Sequence, residues 1–376
     1  MTPFILAGFT AFLSLYATQP LLPLFERVFG ADHFTSSLTV TATTIGVALA
    51  APLVGRIADV VGKRRVIVSA AVLLASTTLL AATSGSLHQV IAWRFAQGLV
   101  TPGVFAVAVA YIHDRWEGAR AATTTAAYVT GTVVGGFIGR VVGGQAASVW
   151  GWRASFVAVG TMSLCCALVL ALTLPHDRAS GGIETGRRAE GSGLFARLTS
   201  RPLLGTYAAG FCVLFTQIAM FTYVTFHLAA PPFLLSTAAL GRLFAVYLAG
   251  AVVTPISGRW INAYGHRAAL AIAMALGVVG SMLTLGHALA EVVAGLALVC
   301  SGVFIAQAAA NGYIGVAARS DRGLAVGMYA TCYYIGGSVG GALPALFWAT
   351  GGWPACVALV IVVQVATAAL GWTFWR

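Results

Sequence analysis

The sequence predicts an all-α polytopic membrane protein, with twelve transmembrane helices arranged in two pseudo-symmetric six-helix bundles. Composition, apolar run length and an internal repeat carry that prediction. Apolar residues make up 59% of the 376 and charged residues 8%, about a third of the charge of a soluble globular chain. So little charge does not cover a water-soluble surface of this size, and the alternative solvent is lipid.

A helix crossing the hydrocarbon needs about 20 mostly apolar residues, because its backbone groups find no water to bond. Such runs fall near 4–25, 37–54, 66–84, 89–111, 120–147 and 153–175. A second set lies near 203–226, 236–257, 268–286, 291–316, 324–347 and 354–375. The opening stretch from Met1 to about Phe25 lacks a basic leader, and its apolar run continues through Leu21, Leu22 and Leu24. It reads as a first span rather than a cleaved signal. Residues 176–202 are polar and rich in Gly and Arg, the composition of a flexible linker. The expected organisation is therefore a bundle at 1–175, a cytoplasmic linker at 176–202 and a bundle at 203–376.

The charge is lopsided, with 21 basic residues against 10 acidic. A basic excess suits nucleic acid only when it forms a stripe on a soluble face. Here it sits in short clusters between apolar runs, so nucleic acid is not an expected partner and the lipid bilayer is. With twelve spans both termini share a side, and that side holds 16 of the 21 basic residues. The positive-inside rule makes it cytoplasmic, in an inner (plasma) membrane. The six cysteines all lie in apolar stretches without metal-ligand spacing, so neither a disulfide framework nor a metal is expected. No cofactor is expected, and the chain reads as a monomer.

The two sets of spans echo each other. Gly55-Arg56-x-x-Asp59-x-x-Gly62-x-Arg64 returns 203 residues later as Gly258-Arg259-x-x-Asn262-x-x-Gly265-x-Arg267. Gly135-Gly136-x-x-Gly139 returns 201 residues later as Gly336-Gly337-x-x-Gly340, and Trp152 returns as Trp353. A near-constant offset indicates duplication of a six-helix unit, which places a substrate site near the midplane between the halves.

The loop from Gly55 to Val66 carries two glycines that permit a tight turn, with Asp59 available to accept from basic side chains or helix amides. Its pattern resembles the loop signature of the major facilitator superfamily, and the weaker copy at Gly258–Arg267 is similar to what that family shows. The resemblance implies alternating-access transport. It also implies a gating role for Gly55, Asp59, Gly62, Arg64 and Arg65, with Asp59 latching the halves through Arg64 or Arg65. In the fourth span, Arg94, Gln97 and Gly98 resemble the family's R-x-x-Q-G signature. An arginine at a helix centre costs about 2.5–3.5 kcal/mol on insertion. Arg94 therefore reads either as functional or as snorkelling to the interface.

The fifth span carries Gly131, Gly135, Gly139 and Gly143 four apart, one face on which another helix can approach closely. The stretch resembles a third signature, typical of exporting branches. It departs from that signature where Gly136 replaces a proline and Arg140 a glycine. Arg140 lies at a depth similar to Arg94, with Tyr16 and Gln19 of the first span at about the same level. Opposite them the second half offers Gln217, Gln307, Asn311, Tyr329 and Tyr333 as candidate binding residues, or as helix-to-helix hydrogen bonders.

All ten acids lie in loops or at span ends, as do the seven histidines. Protons are the candidate coupling ion, with Glu26 and Glu291 the nearest groups on the outer side. An arginine-bearing cavity without carboxylates disfavours organic cations. The expected activity is secondary active efflux of a small neutral, zwitterionic or anionic substrate. Uptake or facilitated movement of a small organic anion is the alternative. An enzyme would need intramembrane His, Asp or Glu in hydrolytic or metal-binding spacing, which the spans do not contain.

Overall fold

The structure, a computed structural model, describes residues 2–175, 200–318 and 322–375. Within them the chain is helical, and no strand occurs among the described residues. The first half runs Thr2–Phe29, His33–Val61, Lys63–Ala81, Leu87–Arg115, Gly118–Trp150 and Trp152–Thr173. The seventh span is Arg201–Ala229. Most of the expected linker, 176–199, lies outside the described residues.

The second half first shows fewer helices than the sequence suggests, because two pairs of spans run together. Tyr247–Leu283 is one hydrogen-bonded run interrupted at Gly265 (φ 81°), and Pro344–Phe374 is interrupted at Gly352 (φ 62°). Divided at those glycines, the eighth span starts with Thr237–Leu243 and continues from Tyr247 to the break. The ninth ends at Leu283. The tenth is Leu289–Ala317 and the eleventh starts at Arg322. This gives twelve crossings in two six-helix bundles.

The breaks fall where the repeat requires them. Gly62 (φ 100°) and Gly151 (φ 84°) separate spans two from three and five from six. Gly265 and Gly352 stand 203 and 201 residues further on. Only glycine reaches these dihedrals without strain, so the turns specify the repeat more sharply than the apolar runs do.

Small residues set the packing. A Cβ on Gly131, Gly135 or Gly139 would fall 2.1, 2.3 and 1.8 Å from the carbonyl oxygens of Ile5, Phe9 and Leu13. The fifth span therefore lies backbone-to-backbone on the first. The second half repeats this, with Gly336 and Gly340 against the Phe211 and Phe215 carbonyls. Many hydroxyls inside the spans donate to their own helix, as Thr10 does to Leu6 O (2.7 Å) and Thr78 to Leu74 O (2.6 Å).

The first and last helices begin at Thr2 and end at Phe374 on one side of the bundle, here the terminal side; the turns at Gly30, Gly151 and Ala230 mark the far side. The hydrogen bonds joining the halves among the described residues cluster toward the far side. Tyr223 Oη reaches across to Ser37 Oγ (3.3 Å), and it also donates to Gly341 O within its own half (3.0 Å). Ser338 Oγ bonds Thr44 Oγ1 (2.9 Å), and Gln19 Nε2 donates to Thr222 Oγ1 (3.3 Å).

Candidate functional site

The first span is not one continuous helix. It stops at Leu15, passes through a short turn at Gln19–Leu21 and restarts at Leu22. Past Leu15 the chain tightens, with Ala17 N bonding Ser14 O (3.3 Å) and Gln19 N bonding Tyr16 O (3.1 Å), so the carbonyls ending the first segment lose their regular α-helical partners. Arg94 supplies donors instead. Its guanidinium donates to Ser14 O (2.8 Å), to Leu15 O, to Thr39 O of the second span (3.0 Å) and to Gln97 Oε1.

The structure places Arg94 and Gln97, expected at the substrate site, away from the cavity at Arg140. Arg94 is 1% exposed and does not snorkel. Gln97 Nε2 donates to Thr78 Oγ1 of the third span (3.1 Å). A Cβ on Gly98 would fall 2.1 Å from Thr43 O. Arg94, Gln97 and Gly98 thus bind span four to spans one, two and three, and the buried cation is matched by carbonyls instead of a carboxylate.

Arg140 is different. It is 2% exposed, its Nε donates to Gln19 Oε1 (2.9 Å) and its Nη1 to Gly136 O one turn back (2.7 Å). Its Nη2 is buried with no hydrogen-bond partner. Aromatic faces surround it, Phe244 at 4.6 Å, Tyr247 at 4.7 Å and Tyr16 at 5.0 Å from the guanidinium carbon. Ring faces stabilise a desolvated cation. No carboxylate pairs with Arg140 among the described residues.

Close approach of the halves builds this cage. A Cβ on Gly241 would fall 2.6 Å from Arg140 O, and one on Gly144 2.7 Å from Thr237 O. Spans five and eight therefore touch through backbone, and Phe244 and Tyr247, one and two turns past Gly241, come over Arg140.

A cavity of about 310 Å³ lies between the halves beside Arg140. Of the expected binding residues, Tyr16, Arg140, Gln217, Gln307, Asn311 and Tyr333 line it. Gln19 does not; it holds Arg140 and crosses to Thr222. Tyr329 does not either. Its ring stacks on Tyr333 (5.9 Å) and fills the space over Gly210. Sequence reasoning missed Phe12, Tyr128, Tyr247, Phe304 and Tyr334 in the wall. Aromatic residues inside apolar spans give no contrast by which to find them. Tyr247 Oη, like Arg140 Nη2, is buried without a partner.

The stretch Gly55–Val66 is helix on both sides of Gly62, so Gly62 alone makes the expected turn and Gly55 sits within the second span; there the expected pairing of Asp59 with Arg64 or Arg65 is not what the structure shows. Lys63 Nζ is the basic group beside Asp59 (3.9 Å), and it also contacts Asp114 of the fourth span. Arg64 instead donates to Ala171 O (2.6 Å) and Leu174 O (2.9 Å) at the end of the sixth span, and Arg65 is exposed. Arg267, its counterpart 203 residues on, donates to Trp372 O at the end of the twelfth. These arginines satisfy helix C-terminal carbonyls.

Residues 4–306 match the Major Facilitator Superfamily. Relatives include the inner membrane transport protein YnfM of Escherichia coli (strain K12), 30% identical over 366 residues, covering 96% of this chain and 87% of that protein. The uncharacterized MFS-type transporter YybF of Bacillus subtilis (strain 168) is 29% identical over 358 residues, covering 95% and 88%. In fold, the chain is similar to a bacterial homolog of the human lysosomal transporter Spinster in an inward-facing, unoccupied conformation, with TM-score 0.80, 15% identity and coverage of 98% and 95%. It is also similar to the nucleoside transporter NupG, with TM-score 0.79, 13% identity and coverage of 100% and 99%. With twelve spans, a duplicated bundle and a cavity between the halves, this chain belongs to the Major Facilitator Superfamily of membrane transporters.

Proposed function

We propose that the protein is a secondary transporter that exports small organic anions from the cytoplasm across the inner membrane by alternating access. The observation that carries the anion is the pair of unmatched buried donors in the cavity wall, Arg140 Nη2 and Tyr247 Oη. A buried donor without an acceptor is costly, and a carboxylate or similar group entering the cavity removes both deficits with charge-assisted hydrogen bonds. Gln217, Gln307 and Asn311 then offer amides to the rest of the molecule. An organic cation meets an arginine and no carboxylate, a repulsive arrangement in a desolvated site.

Positive-inside charge places the terminal side in the cytoplasm. With that orientation, the far-side contacts correspond to an inward-facing state. The export direction rests on a partial resemblance of the fifth span to the exporters' signature, whose proline and last glycine are replaced here by Gly136 and Arg140, and the turn at Asp59 is assigned to gating.

The test uses protein reconstituted in liposomes and a panel of labelled benzoate, glucose and tetraphenylphosphonium. Exchange of benzoate that Arg140→Ala removes supports the reading. Movement of the cation in preference to the anion defeats it. In cells, deletion should raise accumulation of the transported anion; slower accumulation indicates uptake instead.

A further inference from the structure

A second pocket, of about 730 Å³, lies between the halves on the far side. Its charged lining comes from one short stretch of chain, Glu26, Arg27 and His33. His33 Nδ1 stands 3.1 Å from Glu26 Oε1. The same imidazole lies on rings of the other half, with Phe226 at 4.5 Å and Trp348 at 4.8 Å between centroids. Trp348 packs in turn on Tyr223 (6.3 Å), whose hydroxyl reaches Ser37 Oγ of the first half (3.3 Å). One side chain is thus both the partner of a carboxylate and part of the seal between the halves.

The neighbouring charges are committed elsewhere. Arg27 Nε donates to Pro23 O (3.3 Å), and Asp32 accepts from Thr35 N (2.8 Å) as a helix cap. His227 of the seventh span stacks on Trp353 (5.3 Å). The fifth span and the segment before the eighth bring Ala147, Ser148, Leu234 and Leu235, which carry no charge. The proton balance of the pocket therefore rests on Glu26 and His33.

We propose that Glu26 and His33 form a proton-binding site that couples closure of the far side to the pH on that side. The proposal rests on the alternating-access reading above and supplies its coupling ion. With one proton shared, the pair is an ion pair of no net charge, and the ring stays seated on Phe226 and Trp348. A second proton, taken from far-side water onto the Glu26 carboxylate, removes the counter-charge. The imidazolium then keeps the Phe226 and Trp348 ring faces and the exposed Asp32 carboxylate nearby but loses its buried partner, and the added net charge favours hydration and parting of the seal. By linkage, protons on the far side favour the state open to that side.

Two measurements test this in the full-length protein. In liposomes, Glu26→Gln and His33→Gln should retain benzoate exchange at equal pH and lose about tenfold or more of the benzoate movement driven by a pH gradient. A tenfold loss corresponds to about 1.4 kcal/mol of coupling. Gradient-driven movement at the wild-type rate in both variants overturns the proposal. If the wild type exchanges no benzoate, the anion reading fails, and the proton site is decided spectroscopically. An imidazolium stacked on an indole quenches its emission. The difference in emission between wild type and Trp348→Phe should therefore titrate between about pH 5 and 8. That titration should vanish in His33→Gln and shift in Glu26→Gln. A flat difference across that range overturns the proposal.

Discussion

Gly62 and Gly265, 203 residues apart, carry the same backbone break, at φ 100° and 81°, between the second and third spans of each half. A Cβ on Gly265 meets nothing within 4 Å, so a side chain is excluded there by dihedral strain alone. Gly265→Ala should lower stability by about 1–3 kcal/mol, read as a lower Tm in detergent, with the substrate cavity unchanged. A Tm equal to wild type would mean that the break tolerates an ordinary residue.

The two-bundle fold was legible because lipid imposes long apolar runs and because duplication left paired glycines in the turns. The site was legible only in part. Arg140 stands out as a charge in an apolar span, and the amides Gln217, Gln307 and Asn311 stand out as polar groups. Phe244 and Tyr247 do not, since aromatic residues are ordinary in such spans and only the Gly144–Gly241 approach brings them over the guanidinium. Arg94 looked equivalent to Arg140 in depth. The difference lies in the interrupted first span, whose last carbonyls accept from Arg94 while no such group faces Arg140 Nη2.

That contrast is testable. Arg94→Ala removes donors from the carbonyls of Ser14, Leu15 and Thr39 and leaves them buried, a loss of about 3 kcal/mol or more. Folded yield and Tm should both fall. Arg140→Ala has fewer protein bonds to lose and should keep near-normal yield while anion transport disappears. If the two variants lose yield equally, the division between a structural and a binding arginine is wrong.

Glycine spacing on the fifth span gives a second paired test. Gly139→Ala drives a methyl into Leu13 O and must push the first span away, a destabilisation of about 1–3 kcal/mol or more. Gly55→Ala, where a Cβ meets nothing within 4 Å, should be neutral or raise stability by about 0.5–1 kcal/mol, because alanine favours the helix. Thermal unfolding of both variants in the same detergent checks the ordering, and the reverse order would exclude close packing as the reason for the glycine face.

Asp59 lies 3.9 Å from Lys63, and its side chain is 71% exposed, so the pair contributes little stability, about 1 kcal/mol at most. Asp59→Asn should therefore leave Tm nearly unchanged. If the loop acts in gating, the variant slows turnover severalfold while substrate affinity stays within about twofold. Binding measured by fluorescence or calorimetry, alongside flux in liposomes, separates the two effects; an equal loss of both would make Asp59 part of the site.

Tyr223→Phe isolates the far-side closure. The hydroxyl joins the seventh span to Gly341 O and lies against Ser37 Oγ. Its removal deletes its hydrogen bond across the halves to Ser37, together with the bond to Gly341 O inside the second half, and keeps the ring on Phe226 and Trp348. A single such bond is worth about 1 kcal/mol net, and the state open to the far side should gain about fivefold in population relative to the closed one. Spin labels on the far-side ends of the second and eleventh spans would report the longer distance directly. Transport should shift in rate without a change in substrate preference, because Tyr223 does not line the cavity at Arg140. An unchanged distance distribution would place the energy of closure in the aromatic packing of His33, Phe226 and Trp348 rather than in this hydroxyl.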